Sequence, residues 1–369
     1  MWFMIFSLLA PIMCVQAGNV RMYSMALFFL TLTGLLAYDL YLSDKQKDKK
    51  WILFTLATIC VVYCHSFAVI QAVWLYLLFM AALIKSRRFD KLKKFFISGI
   101  VVSVVFSPWL LVTLKQLQLR MLYDTGSATE LAGVSALWDY CREWFSAVET
   151  PINQVAVLGL ILTIALGVSA TVWMRRERNY APALGAASFL LTALTGFVIS
   201  VFVNNCFMGR YAFPGFGFIV LVMAVGMQNL CCSGVKCGIT AIALGCFVAQ
   251  YSSEIRLEYD GGLHEYETFW EEQVEEGDVF IAPTGHAVFP SIYHPDATYY
   301  LYGYVPADLS FPNLNECYDL GQLVRDNSTV WYICFAGDSP ADVEEGLNFK
   351  EAASFRYMYY DFVIYEMLE

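Results

Sequence analysis

Five basic side chains stand where long apolar stretches of the sequence end: Arg21, His65, Lys115, Arg120 and Arg210. Guanidinium groups bind phosphate oxygens through paired hydrogen bonds, and ammonium groups attract them as point charges. If these side chains gather around one cleft, we expect an anion-binding site at the depth of lipid headgroups. Such a site suits a lipid phosphate or pyrophosphate. The alternative for each residue is an interfacial cation whose charged end simply reaches water.

The stretches that would position these side chains are long and apolar. The chain of 369 residues is 58% hydrophobic and 15% charged, whereas soluble proteins are about 45–50% apolar and about 25% charged. Because a spanning helix needs about 20 mostly apolar residues, the sequence predicts a polytopic α-helical membrane protein with about nine spans. The candidate spans are residues 2–16, 22–42, 51–64, 67–84, 94–114, 154–174, 181–203, 212–230 and 236–252. The third and fourth runs fit either a helical hairpin around His65 or one long broken helix.

Basic residues in the short loops predict the orientation of the spans. The loops 43–50, 85–94 and 174–178 hold four, six and three Lys or Arg residues, and they fall on alternate turns. We expect these loops to be cytoplasmic in a multi-pass protein of the plasma membrane. The five basic side chains named above and the C-terminal part of the chain would then lie on the outer face.

A change in charge divides the chain into two predicted domains, 1–252 and 253–369. Residues 1–250 carry a net charge of +9, and residues 251–369 carry −19. In the second domain, segments with helical spacing alternate with strand-like segments. The helical segments are HEYETFWEEQV, CYDLGQLVR and SPADVEEGLNF, and the strand-like segments include DVFIAP and TVWYICFA. This alternation, closed by two C-terminal strands, predicts a small extracytoplasmic α/β domain with a mainly parallel sheet.

The acidic second domain has no phosphate loop, metal-ligand spacing or nucleophile motif, so no cofactor is evident, although a divalent cation is compatible with phosphate chemistry. Its histidines, His264, His286 and His294, fit either a cation or sugar site or ordinary surface and packing roles. Cys317 and Cys334 could pair, because an outer compartment permits disulfides. The negative charge argues against a nucleic-acid partner, whose binding depends on Lys and Arg at phosphates.

Four segments of the first domain occur in order: VRMYSMALFFLTLTGLLAYDLY, WILFTLATICVVYCHSFAVI, FSPWLLVTLKQ and GRYAFPGFGFIVLVMAVGM. In this order they resemble bacterial membrane glycosyltransferases of the dolichyl-phosphate-mannose protein mannosyltransferase type and the related aminoarabinose lipid A transferase. The resemblance implies an enzyme that moves a sugar from a polyprenyl-phosphate donor to a lipid, glycan or protein acceptor on the outer face. It also implies that six residues line the cavity: Arg21, Tyr23, His65, Lys115, Arg210 and Tyr211.

The resemblance leaves the catalytic acid unassigned. Enzymes of this type begin with a span and a large outer loop that carries an acidic residue, and we expect this sequence to lack that N-terminal segment. The acids of the later outer loop do not match it: Asp124, Glu130, Asp139, Glu143 and Glu149. The alternative to an enzyme is a truncated, non-catalytic lipid-phosphate-binding or scaffold membrane protein. A transporter is less favoured, because paired half-helices are not evident in the sequence.

Overall fold

A computed structural model of the chain forms two compact units, Met1–Ser252 and Ser253–Glu369. We call them the helical unit and the sheet unit. The structure describes residues 1–13, 22–43, 48–123, 133, 135–146, 152–202, 207–259, 262–283, 294, 296–302, 314–317, 329–336, 348–357 and 360–368.

Helices make up the described part of the helical unit, and their bounds follow the predicted apolar runs. The helices are α1 (Trp2–Leu9), α2 (Tyr23–Leu42), α3 (Asp48–Cys64), α4 (Ser66–Lys85), α5 (Phe89–Tyr123), α6 (Ala136–Phe145), α7 (Asn153–Glu177), α8 (Ala181–Phe202), α9 (Phe216–Asn229) and α10 (Ser233–Tyr259). A 3-10 turn, η1 (Gly209–Gly215), precedes α9. Of these elements, α6 was not predicted as helical, and η1 overlaps the predicted span 212–230 only at residues 212–215.

Seven described segments are long and apolar enough to cross a membrane: Tyr23–Leu42, Ser66–Lys85, Phe89–Lys115, Asn153–Glu177, Ala181–Phe202, Gly209–Asn229 and Ser233–Arg256. Large apolar side chains such as Leu111 and Val168 are 70% and 63% exposed on these helices, which suits a lipid surround. The chain is therefore a polytopic helical protein suited to a membrane, as predicted. Of the remaining predicted spans, α3 has 17 residues and α1 has 8.

The two apolar runs on either side of His65 form a helical hairpin. His65 has an extended backbone, with φ −161° and ψ 143°, so the helical hydrogen bonding is interrupted there. The ring of Trp51, near the start of α3, lies 6.3 Å from the ring of Phe79, near the end of α4. Phe54 of α3 also lies 5.8 Å from Phe79. The two helices therefore run antiparallel, which decides between the two alternatives.

A buried lysine holds the end of α2. Lys91 is 2% exposed, and its ammonium group donates to the carbonyls of Leu40, Tyr41 and Ser43 at 2.6, 3.0 and 2.6 Å. The last carbonyls of a helix have no partner within the helix. Lys91, in the first turn of α5, thus supplies hydrogen bonds that α2 cannot make for itself.

Two ion pairs lie near Lys91. Lys50, at the start of α3, pairs with Asp39 of α2. Lys94 of α5 pairs with Asp48 of α3 at 2.6 Å. We call this part of the helical unit, defined by Asp39, Lys50, Lys91 and Lys94, the basic end. It brings together two of the three loops that the sequence marks as rich in lysine and arginine.

The described part of the sheet unit contains the last residues of α10, the helix α11 (Gly262–Gln273) and a six-stranded sheet. The strands are β1 (Val279–Pro283), β2 (Thr298–Tyr302), β3 (Leu314–Cys317), β4 (Val330–Phe335), β5 (Asn348–Tyr357) and β6 (Tyr360–Leu368). Their order is β3-β2-β1-β4-β6-β5. Strands β3, β2, β1 and β4 are parallel, whereas β6 is antiparallel to both β4 and β5. This is the mainly parallel sheet, closed by two C-terminal strands, that the sequence predicts.

Aromatic stacking joins α11 to the sheet. Trp270 of α11 stacks on Phe280 of β1 with ring centroids 4.6 Å apart. His294 also stacks on Trp270, at 3.7 Å and 5° between planes, and burial lowers the pKa of its imidazole. His294 therefore has the packing role that was one of its two alternatives. His264 is exposed on α11, and His286 lies outside the described residues.

The order of the strands excludes a disulfide between Cys317 and Cys334, which the sequence left open. Cys317 ends β3 and Cys334 lies in β4, and both β2 and β1 stand between them. At about 4.8 Å per strand, their Cα atoms are about 14 Å apart, which is too far for a disulfide.

Asn348 and Phe349 were predicted to end a helix, but they begin β5. Strand pairing decides this, because Phe349 pairs with Met367 of β6.

Candidate functional site

The six residues expected to line a cavity lie on separate parts of the helical unit. They are Tyr23 at the start of α2, His65 between α3 and α4, Lys115 on α5, Arg210 and Tyr211 in η1, and Arg21, which lies outside the described residues. Three of these elements meet at one place.

Tyr23, His65 and Tyr211 pack together with two phenylalanines. The ring of His65 lies 5.2 Å from Tyr23 and 5.1 Å from Tyr211. Phe67 stacks on Tyr211 at 5.0 Å and contacts Phe207 at 5.3 Å. We call Tyr23, His65, Phe67, Phe207 and Tyr211 the aromatic cluster. Residues nearly 190 positions apart in the sequence thus share one site, because α2, α4 and η1 converge there.

The local structure of α4 determines the state of His65. His65 is the N-cap of α4, and its Nδ1 accepts a hydrogen bond from the backbone N–H of Phe67 at 3.2 Å. An accepting Nδ1 carries no proton, so the ring is neutral and its proton is on Nε2. Burial lowers the pKa of His65 to about 4. The sequence predicts that His65 is one of the cations of an anion site. In the structure, the His65 ring is instead neutral near pH 7 and can donate a hydrogen bond through Nε2.

The turn η1 brings Tyr211 into the aromatic cluster, and Arg210 precedes it in the turn. Arg210 is half-buried, and its guanidinium donates to the sulfur of Met208 at 3.1 Å. Its backbone N–H donates to Oε2 of Glu143 at 2.9 Å. The neighbouring carbonyl of Gly209 accepts from the indole Nε1 of Trp144 at 2.8 Å. The position of the arginine is therefore set jointly by η1 and by the short helix α6.

A buried amide lies against the other end of η1. Gln71 is on α4, one turn after Phe67, and is fully buried. A side chain at Gly215 would overlap the amide nitrogen of Gln71. Neither polar atom of this amide has a hydrogen-bond partner among the described residues. Glycine is thus required at position 215, because α4 and η1 approach so closely.

Lys115 lies farther along α5. Its side chain is exposed, and it follows Trp109 by six residues. The ring of Trp109 lies 6.1 Å from Tyr63 of α3, and the hydroxyl of Tyr63 donates to the carbonyl of Val105 at 2.7 Å. These contacts bring α5 beside the end of α3. Within the described residues, Lys115 makes no hydrogen bond or ion pair with the aromatic cluster, and the side chain of Arg120 lies outside those residues.

Two of the acids in the predicted outer loop are described, and they differ in their contacts. Asp139 pairs with Arg142 at 3.1 Å on the surface of α6. Glu143 contacts η1, as given above. Within the described residues, no group of three or more His, Cys, Asp and Glu side chains is placed to hold a metal ion. This part of the chain therefore identifies no ligand set for a divalent cation.

Sequence reasoning missed Phe67, Phe207 and Trp144, which pack against or hold the predicted residues, and it considered Glu143 only as a catalytic acid. A signal exists for α6: Tyr140 and Trp144 are four residues apart and both buried, which is typical of one face of a helix. The contact of Glu143 with Arg210 joins residues 67 positions apart and has no local sequence signal.

Comparisons with known proteins found no match to this chain. No family model matches the chain, and no curated protein or solved structure matches it either.

Proposed function

We propose that this protein is a membrane glycosyltransferase that moves a sugar from a polyprenyl-phosphate donor to a lipid, glycan or protein acceptor on the outer face. The observation that carries the proposal is the convergence of Tyr23, His65 and Tyr211, with Arg210 adjacent to Tyr211 in η1. These residues come from three of the four segments that resemble such enzymes. An aromatic cluster with an arginine next to it in the chain suits a sugar linked to a phosphate, because rings pack on sugar faces and a guanidinium binds phosphate oxygens.

The same proposal includes nine spans in the plasma membrane, with the sheet unit outside. Helices α2, α3 and α4 support this orientation, because each has one end at the aromatic cluster and the other toward the basic loops. A helix of 20 residues is about 30 Å long, which equals the hydrocarbon thickness of a bilayer. The aromatic cluster and the basic end then lie on opposite faces, with lysines at the cytoplasmic face.

The proposed reaction is a displacement at the anomeric carbon. A hydroxyl oxygen of the acceptor forms the new bond, its proton passes to a base, and the polyprenyl phosphate leaves with the electrons of the broken bond. Arg210, Lys115 and Arg21 would hold the phosphate and stabilise the negative charge that develops on it. Near pH 7, His65 would contribute the Nε2 proton as a hydrogen bond and no positive charge.

The alternative, a non-catalytic lipid-phosphate-binding protein, is favoured by one observation. Glu143 is the described acid that contacts η1, and its Oε2 is engaged with the backbone N–H of Arg210. A carboxylate held in this way is poorly placed to take a proton from an acceptor.

A binding and transfer assay separates the two candidates. The full chain in nanodiscs would be titrated with undecaprenyl phosphate and then supplied with labelled polyprenyl-phosphate sugars and membrane-extract acceptors. We expect binding that weakens about tenfold or more in Arg210→Ala, with helical content unchanged. Label transfer supports the enzyme, and binding without transfer supports the alternative. Equal binding by wild type and Arg210→Ala would contradict both.

A further inference from the structure

One peptide group of η1 is held at both of its ends by neighbouring side chains of α6. The group joins Gly209 to Arg210. Its carbonyl accepts from Nε1 of Trp144 at 2.8 Å, and its N–H donates to Oε2 of Glu143 at 2.9 Å. A peptide group is planar, so two bonds at its opposite edges fix its orientation. We call these two contacts the peptide clamp.

The absence of a side chain at Gly209 lets the clamp close. A Cβ atom there would lie 2.5 Å from Oε2 and 3.0 Å from Cβ of Glu143. These distances are shorter than ordinary van der Waals contact, so any larger residue would displace the glutamate. Gly209 therefore leaves the space that the side chain of Glu143, 66 residues earlier in the chain, occupies.

Helix α6 is itself anchored, so the clamp has a firm base. Trp144 is buried and its ring packs edge-on against Phe189 of α8 at 4.9 Å. One turn earlier, Tyr140 contacts Phe207 of the aromatic cluster at 4.7 Å. At the end of α6, the hydroxyl of Ser146 donates to Gln250 of α10 at 2.6 Å. The helix is thus fixed to α8, α10 and the cluster.

From these contacts we infer that Glu143 and Trp144 are positioning residues, which orient Arg210 and Tyr211 for the phosphate of the donor. The identity of the ligand rests on the proposed function, whereas the clamp does not. A 3-10 turn has poorer hydrogen-bond geometry than an α-helix, so η1 gains most from outside support. Rotation of the Gly209–Arg210 peptide would change the backbone direction at Arg210 and Tyr211, and so the direction in which both side chains leave the turn.

The role assigned to Glu143 is that of a hydrogen-bond acceptor. A carboxamide oxygen also accepts from an N–H group, whereas it cannot take a proton as a base. Glu143→Gln therefore preserves positioning and removes the carboxylate. Glu143→Ala removes both, and Trp144→Phe removes the indole N–H while keeping an aromatic ring. Asp139→Asn is the matched control, because it lies one turn earlier on α6 and pairs with Arg142 instead of η1.

The test measures two quantities on the full chain in nanodiscs. Hydrogen–deuterium exchange of the segment 207–215 reports the clamp without any ligand. Titration with undecaprenyl phosphate reports the ligand. We expect faster exchange and roughly tenfold weaker binding in Glu143→Ala and Trp144→Phe, since one net hydrogen bond is worth about that factor. Glu143→Gln and Asp139→Asn should remain within about twofold of wild type in both measurements, which is within ordinary surface effects.

Each other outcome overturns a stated part of the inference. Unchanged exchange in Glu143→Ala would show that the clamp does not hold η1. Faster exchange with unchanged binding would remove the positioning role. Weak binding by Glu143→Gln despite wild-type exchange would show that the charge of the glutamate matters rather than its hydrogen bond. If the wild-type chain fails to bind undecaprenyl phosphate, the proposed function and the phosphate role of the clamp both fail, while the exchange data still decide whether α6 fixes the turn.

Discussion

The basic end and the aromatic cluster hold the helices of one unit together by different means. At the basic end, lysines link helices through carbonyls and carboxylates. At the aromatic cluster, rings pack against one another, and the ionisable His65 is neutral near pH 7. A basic residue in an apolar sequence is therefore a poor guide to function by itself, because Lys91 is buried and serves as a helix cap. The contacts distinguish the structural cation from a candidate binding residue.

The substitution with the largest expected effect on stability is at the basic end. Lys91→Met leaves three carbonyls at the end of α2 without their donor, so we expect a loss of about 3 kcal/mol in the free energy of unfolding. Thermal unfolding in detergent measures it. The matched control is Lys93→Met, two residues along the same helix, whose side chain is exposed and whose loss should change little. Equal unfolding temperatures for the two variants would show that the capping role of Lys91 is wrong.

A second substitution acts near the aromatic cluster. Gly209→Ala puts a methyl group against Glu143, and overpacking of this kind costs about 1–3 kcal/mol. Thermal unfolding and the titration with undecaprenyl phosphate would both be measured. Gly167→Ala on α7 is the control, because nothing lies within 4 Å of a Cβ there, and alanine favours the helix. If the two variants were equally stable, the close approach of Glu143 to η1 would be in doubt.

The pH dependence of stability tests the neutral state of His65. Its pKa of about 4 in the folded protein lies below the ordinary value of about 6.5, so the unfolded chain binds more protons. Protonation of His65 therefore does not affect stability above about pH 6.5, and stability falls as the pH decreases toward 4, by about 2 kcal/mol near pH 5. His65→Asn keeps the N-cap acceptor but does not titrate. The unfolding temperature of this variant should decrease less between pH 7 and 5. Parallel curves for the two proteins would argue against a buried, neutral histidine.

The smallest expected effect on stability is that of an exposed ion pair at the basic end, in contrast to the effect of the buried Lys91. The Lys94–Asp48 pair is partly exposed, at 29% and 79% of the two side chains, and exposed pairs contribute about 0–1 kcal/mol. A double-mutant cycle with Lys94→Met and Asp48→Asn should give a coupling energy below about 0.5 kcal/mol. A coupling as large as the effect of Lys91→Met would show that ion pairs, rather than the buried cap, stabilise this end.

Local sequence patterns predicted most elements but few of their contacts. The run 22–42 becomes α2 and the run 181–203 becomes α8 almost residue for residue, because an apolar run of span length is itself the signal. For α6 the run is short and lies in a polar loop, so its helix was missed. The start of β5 was assigned to a helix, because strand pairing with β6 is invisible from its own residues.

In the candidate site, too, the sequence predicts several residues but not the contacts between them. Tyr23, His65 and Tyr211 were named from the sequence, and in the structure the rings of both tyrosines lie near the ring of His65. The state of His65 was missed, because it depends on the N–H of Phe67 and on burial. From the sequence, Glu143 is only an outer-loop acid that does not match the catalytic acid of the similar enzymes, and no local pattern links it to Arg210.

By itself, the sequence determined the helical and sheet parts, the apolar segments suited to a membrane and the residue types at their ends. These properties depend on composition and on periodicity within a few turns. Only the tertiary structure decided that Lys91 is a cap, that Cys317 and Cys334 cannot pair, and that α6 holds the arginine turn. Each of these depends on which distant segments touch, and hydrogen bonds and packing between such segments leave no mark within either one alone.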